Sequence, residues 1–350
     1  MTEIPGPVPV TVIIPAYNAS GTIERCLESV FSQRIPPDEV ILVDDCSADG
    51  TAGKAERFSG LRIIRTESNS GPALARNLGV ESSTREIILF VDADVVIPED
   101  TVSLVWEILE ARPDVSAVQA LYSPVCPAEN AASRYQNFYY HYHLKKCHPE
   151  RSAVFATYCA GIRKRAFLSI GGFDTSIPEP TVEDEELGYG LVDRGGKILI
   201  EHGLQVDHLA EYELGQLMRR RYRMSTAQVK NALRKTGSRL MGRYLSPSGG
   251  DTHHRPGVTA SIACFWLFLV LSVASLAVLL LGGSPFPLLL PAAAALLSAV
   301  LLNLPFLAAA GRTMGVRTAL VFVPVLLADL LALGAGVVRG AWQFVRGRRY

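Results

Sequence analysis

No two cysteines in this 350-residue chain are spaced as CxxC, although six are present: Cys26, Cys46, Cys126, Cys147, Cys159 and Cys264. Scattered singly, they speak against a disulfide framework or a zinc site and are expected as reduced, small packing residues. The phosphate-binding fingerprints GxGxxG and GxxxxGKS/T are missing as well. PAYNASG stands after the first apolar run instead, which argues against a nicotinamide, flavin or P-loop enzyme. The opening MTEIPGPVPV lacks the basic start and apolar stretch of a secretory signal, so the first 212 residues are expected on the cytoplasmic side.

Charge of either sign is absent from Val258 to Gly311, a run of 54 residues. The net charge of zero hides this segregation. Residues 1–212 hold 18 Lys/Arg against 31 Asp/Glu, and residues 213–350 hold 16 against 3. An acidic body joined to a basic, apolar tail implies two environments. About 20 apolar residues cross a bilayer as a helix. Three segments qualify: 258–281 and 288–310, separated by GGSPFP, and 318–338, apolar except for Asp329. A buried core helix fails on length and on the absence of a polar face. Arg312 and Arg317 would face the cytoplasm. A third full crossing would then put Arg339, Arg346, Arg348 and Arg349 outside, so 318–338 either crosses against that tendency or lies in the interface.

In the acidic body, apolar runs alternate with helical spacing. VTVIIPAYN, EVILVDD, LRIIRTES, EIILFVDAD, DVSAVQALY and the short KILIEH read as strands. Ser20–Gln33, Gly71–Glu81 and Thr101–Ala111 read as helices. The alternation predicts a mostly parallel sheet with helices on both faces. Ligands bind such sheets beyond the carboxyl ends of the strands. Asp44 and Asp45 end one strand there, and Asp92 and Asp94 end another. Four carboxylates on one rim repel unless a cation or donor groups lie among them. Paired carboxylates with Mg2+ or Mn2+ are one means of holding phosphates.

The set VIIPAYNAS, ILVDDCSADGT, NSGPALARNLG, LFVDADV and IGGFD…VEDEELGYGLVDRGGKI, in order from Val10 to about Gly196, resembles the family 2 glycosyltransferases. The resemblance implies the GT-A fold over residues 1–212, an α/β nucleotide-sugar-binding unit followed by a C-terminal α-helical membrane region. It implies inverting transfer of a sugar from a nucleotide diphosphate, assisted by Mg2+ or Mn2+. Carried over residue by residue, Pro15, Tyr17, Asn18, Asp44 and Asp45 would line the nucleotide pocket. Arg76 would approach the diphosphate, Asp92 would contact ribose or a metal-bound water, Asp94 would hold the metal, and Asp184 would be the catalytic base. His208 would stand near the metal or diphosphate, with a purely structural histidine as the alternative.

Residue chemistry fits independently, because a departing diphosphate calls for a cation and an acceptor hydroxyl calls for a base. Crowding among Glu183–Glu186 would raise the Asp184 pKa, although the same run would also suit a solvated helix start. His141 and His143 do not share a helix face, so RYQNFYYHYHLKK reads as an aromatic packing or acceptor-side helix, with metal binding disfavoured. GQLMRRRYRM resembles the QxxRW box of processive synthases: Gln216 and Arg219 fit, but Arg220 replaces the tryptophan. Residues 213–256 are therefore expected as basic amphipathic juxtamembrane helices, each basic residue adding about 1 kcal/mol at an anionic surface. Gln216, Arg219 and Arg220 are candidates for phosphate or acceptor contacts. Residues 257–340 would form the membrane region and 341–350 a basic tail.

The expectation is a multi-pass enzyme of the cell (inner or plasma) membrane that moves sugar to a lipid-linked or glycan acceptor. A processive polysaccharide synthase and an inactive nucleotide-binding scaffold are the alternatives. Nucleic acid is not expected as a partner, because the basic residues adjoin the membrane segments.

Overall fold

The computed structural model describes residues 6–177, 181–234 and 256–347. β1 (Val8–Ala16), β2 (Pro37–Asp44), β3 (Leu61–Arg65) and β4 (Ile87–Val91) pair in parallel in the order β3-β2-β1-β4. β-branched and large apolar residues dominate these runs and suit a pleated surface covered on both sides. Every residue of β4 is buried. Side chains alternate across the sheet. Val10, Val12 and Ile14 pack on one face with α1 (Ile23–Phe31) and α4 (Thr101–Ala111). Ile13, Ile88 and Phe90 pack on the other with α3 (Pro72–Ser82), α6 (Lys164–Ser169) and α7 (Glu183–Asp193). A short helix, α2 (Thr51–Ala55), lies between β2 and β3.

The second half of the sheet departs from the simple alternation. Beyond β4 come β7 (Cys159–Arg163), β6 (Ala117–Tyr122), β8 (Ile198–His208) and the two-residue β5 (Val95–Val96). β7 runs antiparallel between β4 and β6, with Gly161 opposite Leu89 and Val118. This strand was not anticipated, because its five residues carry no alternation and both of its faces are buried. β8 is longer than the expected KILIEH, and its last residue, His208, pairs with Val95.

The aromatic helix α5 (Ala131–Lys145) and α8 (Leu214–Arg234) join this sheet to the tail helices α9 (Pro256–Leu280), α10 (Phe286–Leu302), α11 (Leu304–Met314) and α12 (Val316–Val345). Two helices, Gly257–Leu280 and Val316–Val345, are long and apolar enough to cross a membrane. The expected segment 288–310 is not one straight helix. α10 and α11 meet at 48° around Asn303, where Pro305 removes a backbone donor from the next turn. The expected 318–338 lies within the 30-residue α12.

α8 also differs from an amphipathic helix resting on a surface. A Cβ added at Gly336 would lie 2.6 Å from the carbonyl oxygen of Tyr222, and one at Gly340 would lie 2.7 Å from that of Thr226. The backbones of α8 and α12 therefore touch, which only glycine permits at those points. The part of the juxtamembrane stretch at 235–255 and the tail arginines 348 and 349 lie outside the described residues.

Gly336→Leu is expected to separate α8 from α12 and destabilise the protein by about 1–3 kcal/mol. Gly257→Ala, which meets open space, should stay within about 0.5 kcal/mol of the parent. Thermal unfolding in detergent checks the pair, and equal midpoints for both variants would exclude the tight contact.

Candidate active site

Parallel pairing sets Ala16 opposite Asp44, so the residues after β1 and β2 share one end of the sheet. Tyr17 is half exposed there, and Asn18 takes a left-handed φ of 49° while its Oδ1 accepts from the Ala48 N–H. Asp44 is fully buried, accepts from the Ser47 N–H at 3.1 Å and pairs with Arg65 at 3.3 Å. Asp45 accepts from the Thr66 hydroxyl and from the backbone N–H groups of Ser70 and Gly71, fixing the turn into α3. Pro15 lies partly buried at the end of β1.

The carboxylates after β4 have their own partners. Arg76, buried on α3, donates to Asp92 at 2.9 Å and to Glu183 at 3.3 Å. It thus ties the end of β4 to the start of α7. Asp94 lies 3.4 Å from His208 Nε2. Burial pushes the Asp94 carboxyl up, but the His208 hydrogen bond and charge, helped by Arg220, hold it below its usual range. Each of the four carboxylates expected to repel therefore has a donor or cation of its own.

Glu183, Asp184, Glu185 and Glu186 form the first turn of α7, as a helix N-terminus favours. Asp184 is pushed well above the ordinary carboxylate range, first by burial and then by the charges of Glu183 and Glu185. Glu183 is held by Arg76, and Glu185 accepts from Gln228 Nε2 on α8 at 2.6 Å.

Most of these groups open on one cavity of about 750 Å3, although Asp94, beside His208, is not among the residues that line it. Arg76, Asp92, Asp184, His208 and Arg220 line its polar end. Tyr122, Tyr139, Tyr140 and Tyr158 line its middle, and Val258, Ile262, Trp266 and Val337 of the tail helices line its far end. Tyr122 stacks on His208 with ring centroids 4.7 Å apart. Pro15, Tyr17, Asn18, Asp44 and Asp45 are not in this cavity, but lie on the rim at the ends of β1 and β2. Gln216 and Arg219 are exposed and do not line the cavity. Gln216 Oε1 instead accepts from the Glu213 N–H at the start of α8, a helix-capping role.

Sequence reasoning missed the Glu183 partner of Arg76, Tyr122, Tyr158 and the whole apolar end, whereas Tyr139 and Tyr140 fall in the expected aromatic or acceptor-side helix. It also took Arg221 as part of a basic amphipathic helix at a membrane surface. Arg221 is buried, with Nε and a terminal nitrogen 2.6 and 2.8 Å from the Asp329 carboxylate on α12, and the Tyr135 hydroxyl donates to the same carboxylate at 2.9 Å. A lone acid in an apolar segment was the one available signal for that pair.

Among the described residues no three His, Cys, Asp or Glu side chains come together to hold a metal unaided. A hard divalent cation that keeps waters and substrate phosphate oxygens needs fewer protein ligands. The Asp94 carboxylate fits that requirement as an oxygen donor, and the His208 ring, 3.4 Å away, would join it only as a neutral imidazole.

Residues 11–171, just under half of the chain, match the profile of "Glycosyl transferase family 2". An uncharacterized glycosyltransferase of Haemophilus influenzae is 28% identical over 177 residues, 48% of this chain and 57% of the relative. The putative teichuronic acid biosynthesis glycosyltransferase TuaG of Bacillus subtilis is 39% identical over 89 residues, 24% of this chain and 35% of the relative. The matches thus span between about a third and just over half of those proteins. In fold, the chain is similar to the mannosyltransferase PcManGT of Pyrobaculum calidifontis, solved in complex with GDP-Man and Mn2+. The TM-score is 0.58 at 20% identity, over 98% of this chain and 90% of that one. The fold is accordingly GT-A-like, with C-terminal helices that could span a membrane.

An acid whose folded pKa is raised loses stability as the pH climbs past its unfolded value near 4. Asp184→Asn, which keeps the shape without the charge, is expected to raise the thermal midpoint at neutral pH. That gain should shrink toward zero as the pH falls to about 4. Thermal scans across this range test it, and a variant no more stable than the parent at pH 7 would exclude the penalty at Asp184.

Proposed function

We propose that this family 2 domain and its tail helices form one metal-assisted, inverting glycosyltransferase, which moves a sugar from a nucleotide diphosphate to a lipid-linked acceptor at the membrane. The observation that carries the reading is the single cavity running from Arg76, Asp92, Asp184 and His208 to Val258, Ile262, Trp266 and Val337. A water-soluble acceptor has no use for that apolar end. A lipid-borne one needs both ends, its reacting group among charges and its chain among tail helices.

In this reading Pro15, Tyr17, Asn18, Asp44 and Asp45 receive the nucleoside at the sheet end. Asp92, fixed by Arg76, faces the ribose side, and Asp94, with His208 as a neutral imidazole, would hold the cation. A divalent cation there supplies Lewis-acid stabilisation of the charge on the departing diphosphate. The GDP-Man and Mn2+ of the fold neighbour support a donor and cation of these classes. The acceptor oxygen attacks the anomeric carbon from the face opposite the diphosphate. The new carbon–oxygen bond forms as the old one breaks, its electron pair leaves with the diphosphate, and the hydroxyl proton passes to Asp184. Burial and the neighbouring acids raise the Asp184 pKa, so that its ionised form is the stronger base.

α9 and α12 anchor the protein in the plasma or inner membrane with the catalytic unit on the cytoplasmic side. Their apolar exteriors, such as the exposed Leu280 and Val338, support immersion in lipid. The intact acidic set of Asp92, Asp94 and Asp184 speaks against an inactive scaffold.

Asp184→Asn should reduce transfer by roughly 100-fold or more, while calorimetry still detects nucleotide diphosphate binding. Incubation with labelled UDP-, GDP- and dTDP-sugars and extracted membrane lipids should carry label into the organic phase. Label confined to water-soluble sugars would sink the lipid acceptor, and undiminished turnover by Asp184→Asn would sink the base.

A further inference from the structure

One face of α5 looks into the cavity. Gln136, Tyr139, Tyr140 and His143 all line it, and their spacing of three, four and seven residues places them on the same side of the helix. Tyr135 and Phe138, beside that face, pack against the tail helices, and Tyr139 and His143 also reach Phe306 of α11. Gln136 is 2% exposed, and its Oε1 is buried with no hydrogen-bond partner among the described residues. Buried carboxamides normally find donors, so an unpartnered one at a cavity wall is placed to meet what the cavity binds. Tyr140 flanks it and is itself braced edge-on by Tyr122, with centroids 6.1 Å apart. Tyr139 is backed by Arg221, 4.2 Å from its ring.

The geometry points to a saccharide subsite on α5: Gln136 hydrogen-bonds a hydroxyl of the acceptor's own sugar ring, which lies along Tyr140. This rests on the reading above and narrows it, making the acceptor a lipid-linked saccharide rather than a bare lipid phosphate. The chemistry separates the two. A carboxamide presents an acceptor and a donor together, and each sugar hydroxyl can both give and take a hydrogen bond. An ionised phosphate only accepts, so it would leave Oε1 unmet. A prenyl chain offers nothing to either end of the amide. Tyrosine rings provide flat apolar faces for the C–H side of a pyranose, with little conformational freedom to lose on binding. A sugar hydroxyl also requires the base that Asp184 provides in this reading, whereas a phosphate nucleophile is already ionised.

The test uses the full-length protein with labelled nucleotide sugar and three acceptors: vesicles carrying a polyprenyl-diphosphate-linked monosaccharide, vesicles carrying polyprenyl phosphate, and a soluble oligosaccharide. Label is expected on the lipid-linked saccharide and not on polyprenyl phosphate. Gln136→Leu should raise KM for that acceptor on the order of tenfold, with nucleotide diphosphate binding unchanged. Gln136→Met, of matching length, serves the same measurement if the leucine variant does not fold. Equal labelling of polyprenyl phosphate, or an unchanged KM in both variants, overturns the subsite. Label on the soluble oligosaccharide alone, still weakened by the Gln136 substitutions, upholds the subsite and overturns the lipid acceptor.

Discussion

A guanidinium with almost no access to water must be paired, and Arg76 is paired twice, with Asp92 at the tip of β4 and Glu183 at the first turn of α7. Removing one partner from such a cluster leaves an uncompensated charge in low dielectric, which costs several kcal/mol. The arrangement therefore fixes where the strand end stands relative to the helix that carries Asp184. Burial of Arg76 against Phe173, 5.6 Å away, removes the solvent that would otherwise screen the contact. The two halves of the candidate site, drawn from residues nearly a hundred positions apart, keep their spacing because that charge has nowhere else to go.

A second buried pair does the same for the tail helices. Asp329 sits in the middle of the apolar α12, and an isolated carboxylate there would be costly. Arg221 neutralises it with two hydrogen bonds and Tyr135 adds a third. The three residues come from α8, α12 and α5, so one network locks the tail to both cavity walls built from the soluble body. Arg220, the next residue along α8, looks into the polar end of that cavity.

Much of this was legible in the sequence, and the reason is locality. The strand–helix alternation, the acids at the ends of EVILVDD and EIILFVDAD, and the crowding of Glu183–Glu186 all express themselves within a few residues. β7 was not legible, because CAGIR is short and buried on both faces, which erases the period of two. The 48° break at Asn303 was hidden in a uniformly apolar run where only Pro305 hinted at it. Arg221 looked like one more member of a basic stripe, since nothing near it in sequence reveals a partner 108 residues away. Gln136 was equally invisible: an unmet carboxamide is a property of its surroundings, not of its neighbours in the chain.

The glycines at 336 and 340 carry one more consequence. Where two helix backbones lie in direct contact, neither can slide or tilt without opening a void, so the cavity wall carried by α8 is mounted on α12 with no give. Such a mounting acts as a depth gauge: Arg220 and Gln228, which face the cavity from α8, keep one fixed height along the long apolar helix.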